Sequence, residues 1–217
     1  MASRPAPAVD DESLGALSRR YEVGDRGPGT VSGGSGDPGG VSYGSYQLAS
    51  KLGNARRFLE AEGRRWLARF ADHAEGGAAF SAVWKAVAAR EPAAFHAAQH
   101  AFVRRSHYEP QLRLVRSRCG LDIASRSRAL RDVVWSVAVQ HGPGSGLVAR
   151  VLAGLDPADP QFDRMAIEAI YAERARLLPD GRLAHFPRSS PAVQRGVARR
   201  FRAECADALA MLAAERG

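Results

Sequence analysis

The stretch YEVGDRGPGTVSGGSGDPGGVSYGSYQ, residues 21–47, decides how the rest of the chain is interpreted. It contains nine glycines, two prolines and three acidic residues, yet it lies between segments with helical patterns. Glycine at this density permits positive φ angles and lets the backbone approach a ligand closely. Two acidic residues frame the stretch: Glu22 ends the helical run SLGALSRRYE, and Asp37 precedes the short alternating run 41–43. The pattern favours a loop or β-hairpin that shapes a site between two helices.

Most of the remaining chain has apolar residues at helical spacing. The sequence therefore predicts a mainly α fold with a small β-hairpin or loop region between the first two helices. RALRDVVWSVAVQHG is the most apolar run and predicts a central, buried helix. We expect a disordered leader over residues 1–12 and one domain over 13–217. The predicted helices are 13–22, 46–52, 55–62, 93–108, 112–119, 128–141, 146–154, 161–177 and 190–215, with shorter helical segments around Trp66 and Trp84.

Composition limits the classes of protein that fit. The 217 residues are 45% hydrophobic, enough for one sizeable core, or for one core with a small lobe. The sequence contains no run of about 18 or more apolar residues, so it predicts no transmembrane helix. The N-terminal residues MASRPAPAVDDES lack the apolar core of a secretory signal peptide. Cys119 and Cys205 show no metal-ligand spacing; they are free thiols or, in an oxidising compartment, a disulfide.

The net charge of +8 comes almost entirely from arginine, since lysine occurs only at Lys51 and Lys85. A basic surface indicates an anionic partner such as a nucleic acid or an acidic cell-wall polymer. Solvated arginine-rich helix faces explain the same charge, and composition does not separate these two interpretations.

Glu22 and Asp37 fit the needs of glycosidic bond hydrolysis, which uses one protonated carboxyl group and one ionised carboxylate. The C-terminus of a helix disfavours the charged form of Glu22 and so raises its pKa. Asp37 lies in a glycine-rich loop, where a water-accessible carboxylate stays ionised. We therefore expect the two groups to face each other across a sugar-binding cleft. Each also has a simpler interpretation, a solvated helix-end acid and a turn former.

The segment YEVGDRGPGTVSGGSGDPGGVSYGSYQLASKLG resembles the catalytic segment of a lysozyme-like muramidase family. Its members occur as C-terminal domains of type VI secretion spike proteins and as phage-type endolysins, and the family is similar to bacterial chitosanases. The later runs DVVWSVAVQHG and QRGVARRFRAECADALAML resemble its helices, so the resemblance covers residues 14–214. It implies a lysozyme-like fold, with a catalytic Glu at the end of the first helix and an Asp in the following β region.

Carried onto this sequence, the resemblance makes Glu22 the general acid and Asp37 the general base, fifteen residues apart. Ser42 takes the position, five residues after Asp37, at which chitosanases use a threonine hydroxyl to hold the attacking water. The chitosanase likeness further implies inversion of the anomeric carbon. The two carboxyl groups would then be separated by roughly 6.5–9.5 Å, with a water between them.

Five further residues are candidate substrate contacts. Tyr43, Tyr46 and Gln47 would line the cleft by stacking on sugar rings and bonding acetamido groups. Gln140 and His141 end the buried helix and would point into the cleft floor. The alternatives are core packing for the tyrosines and a helix cap for the other two.

Two other sequence patterns are weaker evidence for a functional site. His96 and His100 are four residues apart and share a helix face, as metal ligands can. The zinc-protease pattern is absent, however, and a surface or half-buried histidine pair is favoured. GPGSG at 142–146 follows a helix rather than a strand and is followed by no lysine, so it is a poor phosphate loop. We predict no metal and no cofactor.

The sequence thus predicts a peptidoglycan hydrolase, a muramidase that cuts the β-1,4 bond between N-acetylmuramic acid and N-acetylglucosamine. It would be made in the cytoplasm and act in the periplasm or cell wall of a target bacterium, after delivery by a secretion system or phage lysis. Its partners would be glycan strands and a cognate immunity protein that occludes the cleft, with no nucleic acid or membrane. The alternatives are a chitosanase and a non-enzymatic basic helical module that binds wall polymer or nucleic acid; acidic clefts suit chitosan better than this basic chain does.

Overall fold

The computed structural model describes residues 14–18, 20, 27–33 and 39–215. The chain divides into two compact units: unit 1 comprises Met1–Tyr21 and His107–Gly217, and unit 2 comprises Glu22–Ser106. The single catalytic domain over 13–217 stays a prediction. In the part of the chain that is described, no helix combines the length and apolarity needed to cross a membrane.

In its described residues, unit 2 contains a β-hairpin and three α-helices. Strand β1 (Ser42–Tyr43) pairs antiparallel with β2 (Leu48–Ala49), and helices α2 (Asn54–Glu60), α3 (Ala78–Arg90) and α4 (Pro92–Val103) follow. Two 3₁₀ segments, Ser50–Leu52 and Arg64–Phe70, flank α2. The hairpin lies over a core of fully buried aromatic rings, whose centroids are 4.7 to 6.2 Å apart in their edge and tilted contacts. These rings belong to Tyr43, Phe58, Phe70, Phe80, Trp84 and Phe95.

The hairpin turn depends on Gly44. Its φ of +72° lies in the left-handed region, and a Cβ placed there would be 2.3 Å from Gln99 Oε1. Gly53 has a similar φ of +65° but faces open space. A side chain at position 53 would therefore meet backbone strain alone, whereas one at position 44 would meet both strain and a steric clash.

We expect Gly44→Ala to lower the free energy of unfolding by about 2–4 kcal/mol, because it adds a clash and the loss of a buried hydrogen bond to the strain. Gly53→Ala, which adds strain alone, is expected to cost about 1–2 kcal/mol. Urea denaturation of both variants measures the difference. Equal losses would show that Gln99 moves aside without cost.

Unit 1 surrounds helix α6 (Arg128–His141) with the other helices. Every residue from Ala129 to Ala138 is buried, which confirms the prediction of a central buried helix. The helix begins at Ser127, whose Oγ accepts a hydrogen bond from Leu130 N over 3.2 Å, as an N-cap residue does. The other α-helices among the described residues of the unit are α1 (Ala16–Ser18), α5 (Glu109–Cys119), α7 (Leu147–Leu152), α8 (Phe162–Arg174) and α9 (Pro191–Ala214).

Helix α1 is attached to α6 through one carboxylate. Asp132 is fully buried, and its two oxygens accept hydrogen bonds from Gly15 N at 2.6 Å and Leu17 N at 3.0 Å. The φ of Gly15 is +80°, and a Cβ there would lie 2.7 Å from Trp135 Nε1. A side chain at position 15 therefore has no room.

The structure confirms a mainly α fold with a small two-stranded hairpin. One segment was wrong: residues 46–52, predicted as helix, form the hairpin turn, β2 and a 3₁₀ segment. Pairing with β1 buries Leu48 beside Tyr43, and this tertiary contact outweighs the local helical pattern of the segment. Cys119 and Cys205 are free thiols, which settles the choice left open by their spacing.

Candidate active site

The turn of the hairpin is fixed by side chains from α4. Gln99 is fully buried and its Oε1 accepts a hydrogen bond from Ser45 N over 3.0 Å. His96 Nδ1 lies 3.1 Å from Ser45 Oγ, and His100 Nδ1 lies 2.7 Å from the hydroxyl of Tyr46. Three positions on one face of a helix thus hold two consecutive residues of the turn.

Side chains from α3 and α4 also hold Pro28 of the glycine-rich segment. The carbonyl of Pro28 accepts hydrogen bonds from Trp84 Nε1 at 2.8 Å and from Gln99 Nε2 at 3.0 Å. Gly44 N donates to the carbonyl of Thr30 over 2.8 Å. Gln99 therefore connects residue Pro28, which precedes Asp37 in the chain, to the hairpin turn that follows it.

Of the predicted catalytic residues, Glu22 and Asp37 lie outside the described part of the chain. Ser42 lies in β1 and is 8% exposed. Its backbone is held by Ser32, whose N donates to the Ser42 carbonyl over 3.0 Å and whose Oγ accepts from Ser42 N over 3.2 Å. The Ser42 hydroxyl itself has no hydrogen-bond partner among the described residues, so it remains able to bind a water.

The three predicted substrate contacts of the hairpin differ in exposure. Tyr43 is fully buried, packs against Trp84 with centroids 5.1 Å apart and bonds Ser81 Oγ over 2.9 Å. Burial also raises its pKa. This ring belongs to the core, the alternative that the sequence had left open. Tyr46 and Gln47 are half-buried and remain candidates; Gln47 is in the left-handed region with a φ of +52°.

Gln140 and His141 lie at the end of α6, beside a buried ionic cluster of unit 1. Arg174 and Glu204 are both fully buried, and Arg174 Nη1 donates to Glu204 Oε2 over 3.1 Å. Arg174 Nη2 donates to Gln140 Oε1. The amide of Gln140 thus has a structural partner. The remaining contacts of Glu204 come from Ser136 Oγ at 3.2 Å, Tyr171 Oη at 3.1 Å and Arg200 Nε at 2.6 Å.

His141 lies near the two arginines of this cluster, Arg174 and Arg200. Burial, with the positive charges of Arg174 and Arg200 and the neighbouring His185, lowers its pKa from 6.5 to about 3. Its Nε2 is buried without a hydrogen-bond partner among the described residues. The neutral imidazole is therefore the native form at all but strongly acidic pH.

We expect unit 1 to lose stability as pH falls from about 6.5 towards 3, because the unfolded chain binds a proton at His141 that the folded chain excludes. The loss is about 2–3 kcal/mol, less than the whole shift implies because solvent reaches part of the ring. His141→Phe, which keeps the contact with the Phe186 ring 5.7 Å away, should flatten this dependence. Thermal melts of both proteins between pH 3 and 7 measure it, and parallel curves would contradict the assignment.

Comparison with known proteins now identifies the relatives of this chain. A profile of the family described as "Type VI secretion system spike protein VgrG3-like, C-terminal" matches residues 14–205. The chain belongs to this family. The resemblance to C-terminal domains of secretion spike proteins is thereby confirmed.

One curated relative of this VgrG3-like domain is the type VI secretion system spike protein VgrG3 of Vibrio cholerae serotype O1. The two are 36% identical over 141 residues, which make up 65% of this chain and 14% of that protein. The chain thus spans a small part of the length of its relative.

Two solved structures share the fold of the VgrG3-like domain. A mutant chitosanase from Bacillus subtilis MY002 complexed with six GlcN superposes with a TM-score of 0.56 and 18% identity, covering 91% of this chain and 88% of that chain. The native chitosanase from the same source gives a TM-score of 0.53 and 19% identity, with coverages of 89% and 85%. The predicted lysozyme-like fold is confirmed; identity this low carries the fold alone.

Sequence reasoning missed a buried polar side chain in each unit of the VgrG3-like domain. Gln99 and Glu204 are fully buried, although glutamine and glutamate on amphipathic helices usually face solvent. The i, i+4 spacing of His96 and His100 was a usable signal, and both side chains contact Tyr46. Among the described residues no group of three or more His, Cys, Asp or Glu side chains could hold a metal ion.

Proposed function

We propose that this domain is a glycoside hydrolase that cleaves peptidoglycan as a muramidase. The observation that carries the proposal is the agreement between two independent findings. The chain has the fold of chitosanases over 91% of its length, and its sequence has Glu22 and Asp37 fifteen residues apart, as in the muramidase family that the segment resembles.

In this mechanism Glu22 donates a proton to the leaving glycosidic oxygen, and Asp37 accepts a proton from the attacking water. Ser42 would hold that water, a role that suits its uncommitted hydroxyl on a strand whose backbone is fixed. Tyr46 and Gln47, half-buried on the hairpin turn, would contact the sugar. Attack by a water held on the opposite face of the sugar inverts the anomeric carbon.

The family supports delivery by a secretion system, and we propose the partners from that route. A domain carried on a type VI secretion spike would reach the wall of a target bacterium with that spike, and its producer would need an immunity protein that occludes the cleft. The positive charge of +8 favours association with the anionic wall. Phage-type lysis is the alternative route.

The deciding experiment is mass spectrometry of muropeptides released from purified sacculi. Products with reducing N-acetylmuramic acid ends would support the muramidase. Reducing N-acetylglucosamine ends or anhydro sugars would replace it by a glucosaminidase or a lytic transglycosylase, and intact sacculi would remove it. Proton NMR of the first products tests the stereochemistry, since a retained anomer contradicts inversion.

Chitosanase activity is the second candidate, because both solved neighbours are chitosanases. A chain of net charge +8 is poorly suited to a cationic polymer. Incubation with chitosan oligomers in parallel with sacculi separates the two substrates.

A further inference from the structure

Unit 1 contains a pocket of about 640 Å³ between the loop 180–189 and the first turns of α9. Three arginines line it, Arg182, Arg188 and Arg195, together with Ser189 and Gln194. Its volume lies within the range of small-molecule sites. None of the described residues assigned above to the candidate active site is among those that line it.

The walls of the pocket are fixed by hydrogen bonds. Gln194 Oε1 accepts from Leu183 N over 2.8 Å, and Gln194 Nε2 donates to the Ser189 carbonyl over 3.0 Å. Arg182 Nη1 donates to the Pro187 carbonyl over 2.9 Å. The loop is therefore held against the helix before any ligand binds.

The pocket carries uncompensated positive charge. Asp180, the acidic residue in its lining, is committed to Arg182, with Nε to Oδ2 at 2.8 Å and Nη2 to Oδ2 at 2.6 Å. These hydrogen bonds lower the pKa of Asp180 and keep it ionised beside its partner. Arg188 and Arg195 are exposed and have neither an ion pair nor a hydrogen bond among the described residues. Two guanidinium groups thus face the pocket without an acid to match them.

The charge continues along α9. Arg199 and Arg202 follow Arg195 at i+4 and i+7 and so share its face, and both are exposed without an ion pair to any described residue. The helical rise places Arg202 about 10 Å beyond Arg195. A ligand with repeated negative groups would meet a matching row of cations.

We propose that this pocket and the adjoining face of α9 bind the carboxylate groups of the peptide stems of peptidoglycan. The guanidinium fork matches a carboxylate in two parallel hydrogen bonds. A protein partner fits less well, because no aromatic side chain lines the pocket and Val193 is the exposed large hydrophobic residue that α9 offers among those described. The choice of peptidoglycan as the source of the carboxylates rests on the proposed function.

The test uses a free stem peptide, L-alanyl-γ-D-glutamyl-diaminopimelate, in calorimetric titrations. Arg188→Ala/Arg195→Ala is expected to weaken binding about tenfold or more. The control Arg113→Ala/Arg164→Ala removes the same charge from exposed i, i+4 pairs of the same unit and should stay within about twofold of the wild type. Melting temperatures confirm that both variants are folded.

The peptide contains no glycosidic bond, so its binding is independent of hydrolysis. The same peptide with amidated carboxylates should bind about tenfold more weakly. If both double variants lose the same affinity for the peptide, the effect is one of net charge and the proposed site is wrong. Tighter binding of inorganic phosphate or of a DNA duplex through the same arginines would also overturn it. Binding of the peptide by a chain that leaves sacculi intact would sink the proposed function while supporting this pocket.

Discussion

Replacing Glu22 by glutamine is expected to lower the rate of peptidoglycan cleavage by about 10²–10⁴-fold, the usual contribution of a general acid. The amide has the same shape as the carboxyl group but cannot give a proton to the leaving oxygen. Binding to sacculi should remain unchanged, since the interaction removed is one made in the transition state. Release of reducing ends measures the rate, and co-sedimentation with sacculi measures binding.

Asp25→Asn is the matched control, because Asp25 is the third acidic residue of the same glycine-rich stretch. It should retain activity within about tenfold, whereas Asp37→Asn should resemble Glu22→Gln. Comparable losses of cleavage rate in Glu22→Gln and Asp25→Asn would contradict the assignment of Glu22 as the general acid. If sacculi are bound but not cleaved by the wild type or by Glu22→Gln, the chain is a non-enzymatic binding module. Full cleavage activity of Glu22→Gln would show that Glu22 is not the general acid.

Replacing Arg174 by alanine is expected to lower the free energy of unfolding by about 3–5 kcal/mol, since it leaves a buried carboxylate short of its partner. Arg174 and Glu204 have no solvent exposure, and the guanidinium group also bonds Ser136 Oγ over 3.2 Å. Arg200 remains beside Glu204 but satisfies its other oxygen, Oε1. Urea denaturation measures the loss.

Arg164→Ala provides the comparison. Its ion pair with Glu168 is exposed on α8, at 58% and 45% of the side chains, and such pairs contribute about 0.5 kcal/mol or less. High salt should weaken this exposed pair and barely affect the buried one. If the two variants unfold at the same urea concentration, the buried cluster does not stabilise unit 1.

The helices of unit 1 could be predicted because their signals are local. The predicted ranges 128–141 and 190–215 agree with α6 and α9 to within a residue at each end. Capping serines, proline at the first helical position and long apolar periodicity all lie within the segments themselves. The strand β2 could not be predicted in this way, since it has only two residues and its pairing depends on a turn that a side chain of α4 holds.

The candidate site divides similarly. The spacing of Glu22 and Asp37 is a property of the chain and needs no fold. The burial of Gln99 and Glu204 is a property of packing, because nothing in their flanking sequence distinguishes them from solvated helix residues. Tyr43 shows the converse, since an aromatic residue beside a catalytic segment suggests a sugar platform, yet its ring fills the core.

The attachment of α1 to Asp132 sets an order on how the chain acquires its fold. Gly15 and its acceptor are separated by 117 residues, so the bond between them closes a very long loop. Unit 2 is one continuous segment and is complete at Ser106, before α6 has been synthesised. During translation unit 2 can fold while the N-terminal segment still waits for its partner. Gly15 thus reaches its native position later than the residues of unit 2, although they follow it in the chain.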